Sequence, residues 1–477
     1  MSSIKQNFIF NALLSLSQVV FPIITFPYVA RIILPTGIGE VTIVESVCRY
    51  IMLFSALGIP IYGVREIAKV KNEKDKLDKL FSELIIIHFV ITIFILLLFI
   101  LFIYLIPIFH NKIEFYLLGF FMILSNVFVI EWYFQGIGQF KFITIRNLLV
   151  KSILTVVVFI VIKEKNDVYA YFSIIVVTSV INAAINFIYA LRTIDLDFTI
   201  NINSMRRHLR PLFYIFSSIA FISIYTLLDT IMLGFMTSEK AVGLYTTGLK
   251  VSKIPIMFIA ALGVVLIPKL SEYYHEGRLD LFVSLINKSI KFVITFSIPT
   301  VFLIISLSDQ IIYIFAGSNF MESSSVLRTL SLLSMLIGLS NIFGLQILTP
   351  MGKDKYLTFS VLIGMVISLC LNLIFIPIYK EQGAALSNII AEVAVTIATI
   401  FFANKFIKLI IDWKFIFKVA FSSIPLFFVR FFVSKFILND MMLIVITLFL
   451  SVLYFVFIQL FFVKNEMFFE LKNKILK

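Results

Sequence analysis

Cysteine, histidine and charge are all scarce in this 477-residue chain, and each shortage closes off a class of function. Two cysteines, Cys48 and Cys370, both inside apolar stretches, cannot form the disulfide framework of a small secreted domain. They read as small apolar residues. The four histidines, His88, His110, His208 and His275, lie scattered without metal-ligand spacing. No GxxxxGK[ST] run is present, which argues against direct use of ATP. Charged residues make up only 14% of the chain, against about a quarter in soluble domains.

What fills the space is hydrophobic: 61% of residues, in about fourteen stretches near 20 residues long. Hydrocarbon offers no water to backbone polar groups, so such a chain crosses as helices or as a closed barrel. Runs such as 85–105 and 442–462 are twice a barrel strand's length and lack its alternation. The fold class expected is therefore an all-α polytopic membrane protein. The spans are 8–33, 41–62, 84–107, 115–136, 143–162, 169–191, 211–235, 242–268, 289–307, 325–349, 356–377, 384–403, 415–437 and 442–463. No small-residue cleavage site follows the first run, so span 1 reads as retained rather than as a signal peptide.

Lys and Arg stay on the cytoplasmic side of such proteins. With the N-terminus inside, and residues at the edge of a span such as Arg146, Lys291 and Lys435 counted with the adjoining segment, the inner segments hold 26 of them and the outer segments 6. Both termini are placed in the cytoplasm. The net charge of +13 then reads as anchoring to an anionic inner leaflet, not as a nucleic-acid footprint. The longest outer segment, 308–324, has about 17 residues, too few for an extracytoplasmic domain. A membrane-embedded polysaccharide polymerase, the enzyme alternative, usually needs a large outer loop that this chain lacks.

Two short similarities recur along the chain. Residues 39–49 (GEVTIVESVCR) lie over 243–253 (GLYTTGLKVSK), and 138–144 (GQFKFIT) over 352–358 (GKDKYLT). The offsets are 204 and 214 residues, as for a duplication whose loops differ. Six spans per copy is an even number, so the copies insert in the same orientation. That divides the chain into a first lobe (1–191), a cytoplasmic linker (192–210), a second lobe (211–410) and an added pair of spans with the tail (411–477).

A charge at the bilayer centre costs about 2.5–3.5 kcal/mol on insertion scales, so charges there normally face protein or water. The basic residues within spans are Arg31, Arg49, Lys151, Lys250, Lys253, Arg328, Lys418 and Arg430. Lys151, Lys418, Arg31 and Arg328 lie toward ends, where a long side chain reaches the interface. Glu45 and Arg49 share a face of span 2, as a self-neutralising pair or as part of a site. On span 8, Thr246, Lys250 and Lys253 share a face with no acid on that span, and Asp229 on span 7 is the expected partner. One positive charge is then left for an anionic ligand. Span 1 carries a polar stripe of Asn11, Ser15, Gln18, Pro22 and Thr25. Span 12 carries Asn388, Glu392 and Thr396 at intervals of four, lining either a cavity or a helix contact. Glu392 is the best candidate for a titratable coupling residue, and Pro22 and Pro255 permit hinge bends.

The runs PYVARIILPTGIGEV (27–41), GIPIYGVREIAKVKNEKDKLDKLF (58–81), EWYFQGIGQFKFITIRN (131–147), LDTIMLGFMTSEKAVGLYTTGLKVSKIP (228–255) and IPIYKEQGAALSNIIAE (376–392) resemble the bacterial polysaccharide transporter family. Its members are O-antigen and capsule repeat-unit flippases, in the superfamily of the MATE drug exporters and the lipid II flippase. The resemblance covers essentially the whole chain. It implies two parallel six-helix lobes around a central cavity with two extra C-terminal helices, in the cytoplasmic (inner) membrane. It implies as substrate undecaprenyl diphosphate carrying an oligosaccharide, moved from inner to outer leaflet. It also implies proton or sodium coupling, no other cofactor, and a polysaccharide polymerase and chain-length regulator as partners. Arg31, Arg49, Lys250, Lys253, Gln18 and Asn11 are then the expected substrate contacts, with Glu45, Asp229 and Glu392 for charge balance or coupling. A MATE-type drug exporter is the alternative within transport. Its mostly cationic substrates favour cavity acids, whereas bases outnumber acids in these spans.

Overall fold

The computed structural model describes residues 2–196, 202–408, 412–437 and 439–463, with no strand among them. In order the helices are α1 (Ser2–Ala56), α2 (Ile59–Val70), α3 (Lys74–Leu105), α4 (Ile113–Asn126), α5 (Glu131–Gly136), α6 (Phe140–Val161), α7 (Val168–Ala190), α8 (Ile202–Met236), α9 (Glu239–His275), α10 (Leu279–Ala316), α11 (Ser323–Leu330), α12 (Leu333–Asn341), α13 (Asp354–Asn404), α14 (Trp413–Val433) and α15 (Asp440–Ile458). At about 1.5 Å per residue, α1 and α13 are each too long for one crossing. Each is two helices joined where the backbone leaves helical geometry, at Leu34 (φ 62°) and Lys380 (φ 50°). Leu34 precedes Pro35, whose ring disfavours the α conformation in the residue before it. Among the described residues ten segments are long and apolar enough to cross a membrane, two of them these double helices. With 35 and 37 residues, α8 and α9 are long enough to add one crossing each. Every expected span thus has a helix, and the chain is a multi-pass helical membrane protein.

Three spans are less regular than expected. Span 2 (41–62) ends at Ala56, where Leu57 and Gly58 take positive φ, and Ile59–Val70 forms a separate amphipathic helix. A Cβ on Gly58 would come within 2.9 Å of the Phe216 nitrogen and 3.1 Å of the Leu212 oxygen on α8, so only glycine permits this approach. Span 4 breaks between α4 and α5 at Ile130 (φ 31°). Span 10 is divided into α11, α12 and a π-helical stretch, Ile342–Leu348.

The chain forms two compact units, Met1–Gly234 and Phe235–Lys477. The duplication assigns 211–235 to the second lobe, but α8 clusters with the first unit, because its N-terminal half is seated against α2 and α3. Leu212 lies in one buried cluster with Ile59, Phe81, Trp132 and Tyr133. A second cluster in this unit joins Val44 and Cys48 of α1 to Phe99, Ile123 and Phe172. In the second unit, Phe282, Ile286 and Val293 of α10 meet Ile259, Phe343 and Ala403.

The two repeat matches share local geometry. Thr42 and Thr246 each bond the carbonyl four residues back, Ile38 and Val242. Thr144 and Thr358 do the same to Phe140 and Asp354. Gly138 (φ 79°) and Gly352 (φ 65°) occupy identical helix-ending turns. In one, the amides of Gly138 and Gln139 bond the carbonyls of Gln135 and Phe134; in the other, Gly352 and Lys353 bond Thr349 and Leu348. This is the paired pattern that closes a helix on a left-handed residue. A Cβ on Gly352 would meet nothing within 4 Å, so the residue is needed for its φ alone. Gly352→Ala is expected to destabilise by about 1 kcal/mol, seen as a lower melting temperature of the detergent-solubilised protein.

Candidate functional site

In the first unit α1 is three-sided. Leu14 and Ser17 are buried, and the same side meets α6: the Thr144 hydroxyl donates to the Phe10 carbonyl at 2.8 Å, and the Tyr28 hydroxyl to that of Ile162 at 2.8 Å. On one flank the expected polar stripe, Asn11, Ser15, Gln18 and Pro22, is exposed, with Thr25 partly so. On the opposite flank Leu13, Leu16, Val20, Ile23 and Ile24 are exposed.

Arg31, at the end of the first helical half, is exposed and donates to the Pro27 carbonyl at 2.8 Å. Arg49 donates through both Nε (3.0 Å) and a terminal nitrogen (2.6 Å) to Glu45 Oε1, so the self-neutralising pair is formed. Asp229 is buried on α8 in this unit.

Two buried networks in this unit were not anticipated. At the break between α4 and α5, Arg146 donates to Glu131 at 2.6 Å and to the Asn186 carboxamide oxygen, while the Asn186 amide donates to the Val129 carbonyl. Arg146 is 5% exposed, so an arginine assigned to an inner loop is a buried brace for an irregular turn. The second network joins α2, α3 and α8. Tyr62 OH lies 2.7 Å from His208 Nδ1, and His208 Nε2 lies 2.8 Å from Glu83 Oε2. Ser204 donates to Glu83 Oε1 at 2.6 Å and Arg207 to Oε2 at 3.1 Å. The signals open to sequence inspection were a carboxylate at the mouth of an apolar run (Glu83) and a histidine flanked by arginines. Their pairing, across some 125 residues, was not legible.

In the second unit Thr246 is buried, whereas Lys250 and Lys253 one and two turns later are exposed, so this face of α9 emerges from the interior along its length. The span-12 stripe lies at helix contacts: Asn388 donates to Tyr245 on α9 at 3.3 Å, and Thr396 to the Leu336 carbonyl on α12 at 3.1 Å. Glu392, between them, is buried. Asp309 takes two arginines, Arg328 at 2.5 Å and Arg430 at 3.8 Å, and Arg430 also donates to the Ser306 carbonyl. Those two cations join α10, α11 and α14.

The family described as polysaccharide biosynthesis protein matches residues 4–274, more than half of the chain. This chain belongs to that family. The MatE family matches residues 215–374. A putative O-antigen transporter of Escherichia coli K12 is 24% identical over 411 residues, covering 84% of this chain and 97% of the relative. Lipid II flippase MurJ of Bacillus subtilis is 29% identical over 148 residues, 30% of this chain and 27% of the relative. Among solved structures, a lipid II flippase in an inward closed conformation superposes with a TM-score of 0.78 at 16% identity, covering 96% of this chain and all of that one. An inward-facing multidrug resistance MATE family transporter gives 0.64 at 14% identity, over 81% and 94%. The chain thus has the fold of the solved lipid II flippase and MATE family transporter structures.

Proposed function

We propose that this protein is a flippase that moves an undecaprenyl-diphosphate-linked oligosaccharide from the inner to the outer leaflet of the cytoplasmic membrane by alternating access, driven by a proton or sodium gradient. The observation that carries this is the match over 84% of this chain to a putative O-antigen transporter. Physical chemistry supports it. A diphosphate and a chain of sugar hydroxyls cannot enter hydrocarbon without large desolvation costs. Asn, Ser and Gln exposed along one side of α1 are poorly suited to lipid and suit a hydrated path for a polar head. Arg31, Arg49, Lys250 and Lys253, with Asn11 and Gln18, are the proposed contacts to diphosphate or sugar. Glu45, Asp229 and Glu392 set charge balance or coupling.

The strong inward bias of Lys and Arg supports cytoplasmic termini in the inner membrane. The shared turn geometry supports a duplication, and the lobes are proposed at 1–191 and 211–410, with a linker at 192–210 and an appended pair from 411. A polysaccharide polymerase and chain-length regulator are the proposed partners. The MatE match favours a second reading, export of a cationic drug; the excess of bases over acids within the spans weighs against it. Deletion of the gene separates the two. Lipid-linked repeat units accumulating on the inner leaflet support the flippase, and unchanged repeat-unit distribution with raised drug sensitivity supports the exporter.

A further inference from the structure

Lys151 was expected near a helix end, with its ammonium reaching the interface. The structure puts it instead at the middle of α6, with eleven residues before it and ten after. The exposed apolar residues of α6, Ile145, Leu149, Ile153, Val156 and Ile160, recur at intervals of three and four and form the lipid-facing stripe. At about 100° per residue, Lys151 lies on the opposite side of the helix. There it stands over the Phe21 ring of α1, 6.0 Å from the centroid, one residue before Pro22 of the exposed polar flank.

The nearby acid is already engaged. Glu131 receives Arg146 at 2.6 Å, and Lys151 makes no ion pair among the described residues. One turn earlier on the same face, the Asn147 carboxamide oxygen is buried without a hydrogen-bond partner. A half-buried ammonium and an orphaned acceptor side by side call for a third party, water or a ligand, between them. Of the two α6 cations, Arg146 and Lys151, the first takes up Glu131, and Lys151 carries the positive charge left over in this group.

We propose that Lys151 is an anion-contacting residue of the transport path, taking a phosphate oxygen of the lipid-linked diphosphate. This rests on the flippase reading above and adds a subsite on α6 to it. The ammonium provides a point charge with three donors, suited to phosphate oxygens without demanding one orientation.

The test uses the full-length protein in lipid nanodiscs, with farnesyl diphosphate as probe and farnesol as its uncharged control. Lys151→Gln is expected to weaken farnesyl diphosphate binding about tenfold, the effect of losing one charge-assisted hydrogen bond, with Lys151→Arg close to wild type. Farnesol binding should not change in either variant. Equal affinity in Lys151→Gln and wild type overturns the subsite and leaves the flippase intact; no binding of the diphosphate by wild type overturns both. If Lys151 merely offsets Glu131, then adding Glu131→Gln to Lys151→Gln restores binding, and that result also overturns the proposal. A readout independent of folding is Lys151→Cys in a Cys370→Ala background, treated with a charged, membrane-impermeant methanethiosulfonate. Modification that farnesyl diphosphate slows is expected, and a thiol that never reacts refutes a wet site at this position.

Discussion

A Lys250→Gln/Lys253→Gln double variant should insert and fold normally yet lose surface polysaccharide export by on the order of a hundredfold or more, the combined effect of two charge-assisted contacts. Both lysines lie on one face of α9 and are exposed, following the buried Thr246. Glutamine keeps most of the side-chain length and polarity while removing the charge, so packing should survive. Export is measured as surface polysaccharide in a deletion strain carrying the variant, and insertion by membrane fractionation. Unchanged polysaccharide at wild-type protein levels would remove these lysines from the path.

The second large effect is on stability. Glu83→Ala strips the acceptor from Ser204, His208 and Arg207 at once, with His208 and Glu83 themselves buried. Removing one partner from a buried charged network typically costs about 3–5 kcal/mol, and the partial exposure of Arg207 puts the expectation at the lower end, about 3 kcal/mol. The melting temperature of the purified protein in detergent checks this. Glu83→Gln, which keeps the shape and one acceptor oxygen, should lose less. A variant as stable as wild type would mean the network does not hold α8 against α2 and α3.

The contrast between these variants follows what was legible in the sequence. Crossings were legible because hydrocarbon thickness sets helix length, and apolar runs near 20 residues have few alternatives. Their interruptions were not. Leu57, Ile130 and Lys380 take positive φ without being glycine, so nothing in residue type marks them. Such breaks are held by partners distant in sequence, as Arg146 and Asn186 hold the turn at Val129. The Glu45–Arg49 pair was visible because helix periodicity alone brings residues four apart together. The Asp309–Arg328–Arg430 cluster was hidden because it needs three helices to converge. Lys151 was misjudged for a different reason: it lies near the middle of both the expected span 143–162 and α6, and its long side chain was credited with reaching the interface from that depth. Hydropathy sets edges only to within a few residues, so Arg146, three residues into its expected span, was counted with the inner segment although it lies six residues beyond the start of α6.

The three-sided character of α1 also bears on which cargo features set the speed of turnover. Its exposed polar and exposed apolar flanks lie on opposite sides of a buried seam, a shape that lets a molecule with one hydrophilic and one greasy end straddle the helix. For the proposed lipid-linked cargo, sugar number should therefore govern turnover, whereas shortening or lengthening the isoprenoid should hardly register.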